Sequence, residues 1–211
     1  MTDEILVEAE PSTAAPLFGD RIEVARQYTA DLARRGEELG LIGPLEVPRL
    51  WSRHILNCAL VAPLLHPGRT GDVGSGAGLP GLVLAIARPD VHLVLIEPME
   101  RRVAWLAEQV DELGLDNVEI VRARAEDWRG GPVLDAVTAR AVSALRTLIP
   151  LTAPLVRDGG ELILLKGASV ASEIAAADKQ IRKFGLRDVR VEMLGEGLVE
   201  EPTRVLRATV R

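Results

Sequence analysis

Three alternating glycines behind an acidic residue, Asp72-Val73-Gly74-Ser75-Gly76-Ala77-Gly78-Leu79-Pro80-Gly81, form the stretch of this chain best suited to chemistry. Glycine tolerates φ > 0 and carries no Cβ, so a ligand can lie directly on its backbone. An apolar run, Leu82-Val83-Leu84-Ala85-Ile86-Ala87, follows, and the whole reads as strand end, glycine turn and helix start. A dinucleotide fingerprint, G-x-G-x-x-G, closes such a helix onto its strand with the third glycine, around a pyrophosphate. Here Gly74 and Gly76 are followed by Gly78, and Leu79 stands at the fingerprint's third position. The loop therefore suits an adenosine-bearing cofactor, and the other strand ends have to say which.

The Asp-x-Gly-x-Gly-x-Gly spacing resembles the S-adenosylmethionine loop of class I methyltransferases more than the NAD loop. In both, ligands bind beyond the carboxyl ends of the strands. Glu97 ends the apolar run Val91–Ile96, where a carboxylate can accept the ribose hydroxyl hydrogens; this position alone does not separate the two cofactors. Ala125 and Glu126 follow Val118–Val121 and read either as an adenine seat or as an ordinary capped turn. Arg140 follows Leu134–Thr138, where donor and acceptor would meet, and suits a cofactor carboxylate or a substrate phosphate. Lys166 ends Glu161–Leu165 on the same rim. His54 and Arg53 lie on a predicted helix; a lone helical histidine is more often structural than catalytic. Trp51 and Trp105 fit helix faces as core residues, and Cys58 reads as packing. No two His or Cys residues have metal-ligand spacing, so no metal is expected, and no Ser/His/Asp arrangement stands out.

The elements that position these residues follow from periodicity. Residues 1–16, acidic and Pro/Ala-bearing, read as a disordered tail, and 17–66 as a helical extension. Its helices are expected over 18–39 and from Pro48 to about Val61. From 67 to 211, β and α patterns alternate. Strands are expected at Asp72-Val73, Val91–Ile96, Val118–Val121, Leu134–Thr138 and Glu161–Leu165, with two more at Val189–Leu194 and Arg204–Val210. Helices are expected at Arg101–Leu113, from Ser143 to the Pro150–Pro154 region, and at 169–184. Repeated β-α units force right-handed crossovers and a mostly parallel seven-stranded sheet covered on both faces, a Rossmann-like α/β fold.

The totals agree. With 211 residues, 47% of them hydrophobic, the chain can bury a full core as one compact unit. No apolar stretch approaches a membrane span, and the first residues lack the basic start of a signal peptide, so no membrane partner is expected. One cysteine suggests a reducing compartment, hence a cytoplasmic protein. The net charge of -6 argues against nucleic acid at first sight, yet Asp3, Glu4, Glu8, Glu10 and Asp20 precede the first base, and the body is near neutral. Its bases are nearly all arginine, whose planar fork suits phosphate, although a GC-rich coding sequence also yields arginine.

Taken together, Arg53-His54-Ile55-Leu56-Asn57, Asp72 to Gly81, Arg101-Arg102-Val103, Ala139-Arg140-Ala141 and Leu165-Lys166-Gly167 resemble the glucose-inhibited division protein B family. These are bacterial 16S ribosomal RNA guanine-N7 methyltransferases of the class I fold. The resemblance implies S-adenosylmethionine as cofactor, held by Gly74, Leu79, Ala125, Glu126 and Arg140, to which the loop and strand-end reading adds Gly76 and Glu97. It implies 16S ribosomal RNA or the small ribosomal subunit as partner; from their places on the rim, Arg53, His54, Arg140 and Lys166, with Arg122 and Arg124 beside them, are expected to face the RNA, and a monomer is expected. Guanine N7 is a lone-pair nucleophile, so no general base is expected. The absences agree: Cys58 is badly placed for pyrimidine-C5 chemistry. The Asn/Asp-Pro-Pro-aromatic motif of amine methylation is replaced by Ala139-Arg140-Ala141-Val142. Gly40 to Leu45 departs from the Trp-Asn-x-x-x-Asn-Leu-Thr segment of many members. Methylation of a small molecule or protein, and a non-catalytic nucleotide- or RNA-binding role, remain as alternatives.

Overall fold

Short apolar runs alternating with amphipathic segments dictate the architecture, seen in a computed structural model that describes residues 7–128 and 134–211. Helices α1 (Ala14–Phe18) and α2 (Ile22–Arg35) come first. A composite stretch follows: a 3-10 turn at Val47–Arg49, a π-helix at Leu50–Leu56 running into α3 (Asn57–Ala59), and a 3-10 turn at Ala62–Leu64. Then come β1 (Gly68–Val73), α4 (Gly81–Ala87), β2 (Val91–Ile96), α5 (Glu100–Glu112), β3 (Val118–Val121) and β4 (Leu134–Arg140). The chain closes with α6 (Leu145–Thr152), β5 (Val156–Lys166), α7 (Val170–Ala176), α8 (Asp178–Lys183), β6 (Arg187–Leu194) and β7 (Thr203–Thr209).

The seven strands form one sheet in the order β3-β2-β1-β4-β5-β7-β6. Strands β1 to β5 run parallel, and β7 lies antiparallel between β5 and β6. The period of two along β2 divides its apolar residues between two cores. Leu93 and Leu95 pack with α2, α4 and α5; Val94 and Ile96 pack with α6 on the opposite face. Each such fully buried side chain contributes about 1.5–3 kcal/mol relative to exposure. Because Val73 pairs with Ile96, Ile96 with Val121 and Asp72 with Thr138, the residues that follow β1, β2, β3 and β4 emerge along one rim.

Several elements differ from the sequence reading. The helix expected from Pro48 to Val61 is not regular: its centre is a π-helix, the wide turn often found beside functional sites. The helix expected over 18–39 ends at Arg35, and the one over 169–184 is two. The part of the expected tail from residue 7 onward is placed against the body. Glu8 accepts hydrogen bonds from the Ser52 amide and hydroxyl, Glu10 pairs with Arg26, and Ala14 is fully buried. Acid and apolar side chains here find partners that a local pattern cannot reveal; residues 1–6 lie outside the described residues.

Candidate active site

The rim is built on the glycine loop. Gly74, Gly76 and Gly78 have φ of 73°, 56° and 99°, values at which a Cβ would be strained. Three contacts hold the loop from outside. The Ala77 carbonyl accepts hydrogen bonds from the Tyr28 hydroxyl at 2.9 Å and the Trp105 indole at 2.8 Å. Below it, the Asp72 carboxylate accepts the Gly81 amide at 3.0 Å. A Cβ on Gly81 would collide with Leu95 and stand 2.6 Å from that carboxylate. Gly81 thus gives the close helix–strand approach that the dinucleotide fingerprint assigns to its third glycine.

Asp72 is completely buried, and burial pushes its carboxyl up to about 7. An aspartate in the unfolded chain ionises near 3.9. Between roughly pH 4 and 7 the native state therefore holds a proton that the unfolded chain has lost, and stability declines as pH rises through 7. Asp72→Asn keeps an acceptor for Gly81 without the ionisation. The melting temperature of the ligand-free variant is expected to fall less between about pH 5 and pH 8 than that of the parent. Equal pH slopes in both proteins would assign the effect to other groups.

Glu97 reaches the rim but does not present a free carboxylate. It is 1% exposed, and its two oxygens accept the Gly76 and Met99 amides, each at 2.9 Å. Its first task is to shape the loop. Ala125 is buried in a 3-10 turn after β3 with Glu126 exposed beside it. A cleft of about 280 Å³ lies over the loop, lined among others by Gly74, Gly76, Leu79, Arg102, His54 and Arg140. A larger groove of about 720 Å³, lined by Arg53, Asn57, Lys166 and Arg204, opens beyond β4 and β5. Arg140 and Ala141 line both. Ala141, a non-glycine residue at φ 54°, stores strain at the junction.

Arg140 is held from behind by the π-helix segment. Its guanidinium donates to the His54 Nδ1, to the Arg53 carbonyl at 3.5 Å and to the Cys58 Sγ at 3.4 Å. His54 must therefore carry its proton on Nε2, which donates to Glu46 at 2.6 Å. Burial, with the Arg140 charge, pulls the His54 imidazole down to about 4, so it is neutral at pH 7. Burial opposes ionisation of Glu46, but the hydrogen bond from His54 and the charges of Arg53 and Arg49 keep its carboxyl below the ordinary value.

The structure thus brings Gly74, Gly76, Leu79 and Arg140 to one cleft, with Glu97, Ala125 and Glu126 on the neighbouring strand ends. His54, expected to face RNA, is buried at the edge of the cleft with both ring nitrogens engaged. Lys166 lines the groove, but its amine is 2.7 Å from Glu173 and donates to the Ser143 carbonyl, with the side chain 9% exposed. An amine so paired is a poor phosphate ligand. Arg53, 42% exposed and loosely placed near Glu46 and Glu201, faces the groove. Sequence reasoning missed Glu46, Tyr28, Trp105 and Arg102. Only long-range contacts mark the first three, and Arg102 was noted solely within a motif. Among the described residues no metal-binding cluster is found, and no helix is long and apolar enough to cross a membrane.

A parallel sheet extended by an antiparallel β7, with a glycine loop after β1 and a cleft along the strand ends, defines a class I S-adenosylmethionine-dependent methyltransferase. Solved structures share the fold. A SAM-dependent methyltransferase from Aquifex aeolicus superposes with a TM-score of 0.57 at 19% identity, over 79% of this chain and 95% of its own. Aeropyrum pernix fibrillarin, with natively bound S-adenosyl-L-methionine, gives 0.55 at 16% identity over 75% of each chain. Residues 21–202 match the GidB family, rRNA small subunit methyltransferase G, and the chain belongs to that family. Its relatives include the ribosomal RNA small subunit methyltransferase G of Leifsonia xyli, 70% identical over the full length of both chains. That of Clavibacter michiganensis is 65% identical, again over the full length of both.

Proposed function

We propose that this chain transfers a methyl group from S-adenosylmethionine to N7 of a guanine in 16S ribosomal RNA, acting as a cytoplasmic monomer. Family membership supports the reaction and its RNA substrate, and one geometric observation supports transfer between two bound molecules: the two cavities meet at Arg140 and Ala141. A cofactor on the loop and a base in the groove would face each other there.

The residues fit that cofactor. At Gly76, where a Cβ would meet no atom closer than 3.7 Å, the backbone lies open to the cleft, as a ligand resting on it requires. Gly74, Gly76 and Leu79 would form its floor and Ala125 with Glu126 its adenine end. Glu97 fixes the loop beside the ribose, and Arg140 offers a cation to the carboxylate end. S-adenosylmethionine supplies an electrophilic methyl on a sulfonium sulfur.

The protein's share is orientation. A lone pair at N7 carries no proton, and the nearby groups agree with a reaction lacking a base. His54 has both nitrogens engaged, and Asp72 lies buried behind the loop. Holding acceptor and donor in line can supply about 7–11 kcal/mol of the barrier. Arg53, at the mouth of the groove, would hold RNA phosphate.

Mass spectrometry of 16S ribosomal RNA nucleosides from cells with and without the gene tests the reading. Loss of one 7-methylguanosine is expected on deletion, and an unchanged nucleoside profile would overturn it. Turnover of a small molecule or protein without RNA would move the activity to that class. Phosphate contacts also require RNA affinity to fall as salt rises.

A further inference from the structure

We infer that Glu46 and His54 are positioning residues that fix the Arg140 guanidinium at the junction of the cofactor cleft and the acceptor groove. The inference rests on the cofactor site proposed above. It starts from the tautomer. His54 accepts from Arg140 through Nδ1, so it can donate only through Nε2, and Glu46 stands 2.6 Å away to take that proton. Without Glu46 the imidazole would be free to turn its N–H toward Arg140, placing two donors against each other. One carboxylate outside the strand-end rim thus sets the hydrogen-bond polarity of a residue on it.

The burial pattern supports a directed device. The His54 side chain is 10% exposed, while the Glu46 side chain, at 30%, reaches solvent and keeps its charge. Arg140 needs fixing because it serves two walls. A freely rotating guanidinium would divide its time between cleft and groove, and small displacements of a positioning group carry large rate losses. The position of Glu46 adds a link. It lines the cofactor cleft, accepts from His54 and lies 3.3 Å from Arg53 Nε, whose side chain faces the groove. A ligand on either side therefore biases the same carboxylate.

The test is calorimetric binding of S-adenosylhomocysteine, which needs no RNA and no turnover, to folded variants checked by thermal melting. His54→Leu removes acceptor and donor together, and its affinity is expected to fall about tenfold, the worth of one charge-assisted hydrogen bond. His54→Gln keeps an amide oxygen for Arg140 and an amide N–H for Glu46, and is expected to regain most of that loss. Glu46→Leu should weaken binding about threefold. The double variant should be no worse than His54→Leu, because Glu46 acts through His54. Wild-type affinity in His54→Leu, no rescue by Gln, or additive losses would overturn the positioning role. Absence of binding by the parent protein would instead overturn the cofactor reading beneath it.

Discussion

A single added methyl at position 76 is expected to abolish most cofactor binding while leaving the fold in place. In Gly76→Ala the new Cβ meets only the Gly74 carbonyl at 3.7 Å and the Arg102 guanidinium at 4.0 Å, so the protein itself has room for it. The backbone there is left-handed at φ 56°, which costs an alanine about 1–2 kcal/mol. For a chain of this size that lowers Tm by only a few degrees, at roughly 2–4 °C per kcal/mol. The methyl points instead into space that the ligand needs. Overpacking of about 1–3 kcal/mol weakens S-adenosylmethionine by about 5- to 150-fold, as read by calorimetry. Unchanged affinity in the folded variant would remove the cofactor from this loop. Gly74 is a poorer probe, because a Cβ there stands 2.9 Å from the Val142 side chain, and Gly78 is worse, because a Cβ there would collide with the Leu82 side chain. Substitution at either would confound packing with binding.

Arg140→Ala is expected to lower kcat/KM for methyl transfer to small-subunit RNA by about a hundredfold or more. The truncation empties the position shared by cleft and groove. It also strands two acceptors at once, the His54 Nδ1 and the Cys58 sulfur, while the Arg53 carbonyl keeps the Asn57 amide as donor. Leaving buried acceptors without donors costs about 1–3 kcal/mol each in stability, so the variant should also melt earlier. Arg140→Lys separates charge from shape. A compact ammonium cannot span the same three acceptors, so it should recover little activity although the charge is kept. Wild-type activity in the lysine variant would show that only the charge matters at this position.

These residues differ in how visible they were before folding. Strand ends were legible because a buried parallel strand writes an apolar run that a polar residue terminates. Glu97 and Arg140 were found that way, and the sheet register then placed them beside Gly74. The class of fold followed from the same pattern, whereas the cofactor came from the glycine spacing and the family resemblance. What stayed hidden were side-chain partnerships. Lys166 looks free in sequence, yet Glu173, in the helix that follows β5, neutralises it. Glu97 looks like a bare ribose acceptor, yet the Gly76 amide of the loop takes one of its oxygens and the Met99 amide the other. The π-helix was invisible because its apolar and polar residues satisfy an ordinary helical period. Nothing in that period shows that His54 and Cys58, four residues apart, both accept hydrogen bonds from Arg140. Glu46 lies in a stretch with no periodicity at all, and nothing local marks it.

The double hydrogen bond on the Ala77 carbonyl carries a consequence for how the molecule comes apart. One donor belongs to α2, the other to α5, and the acceptor to a loop between them. Tyr28 is fully buried and Trp105 nearly so, and neither can let go of the carbonyl without opening the apolar layer that surrounds both. The amides of α2, α5 and the glycine loop should accordingly exchange with solvent in a single opening event rather than fraying one by one. A ligand resting on that loop would then protect amides in α2, far from anything it touches.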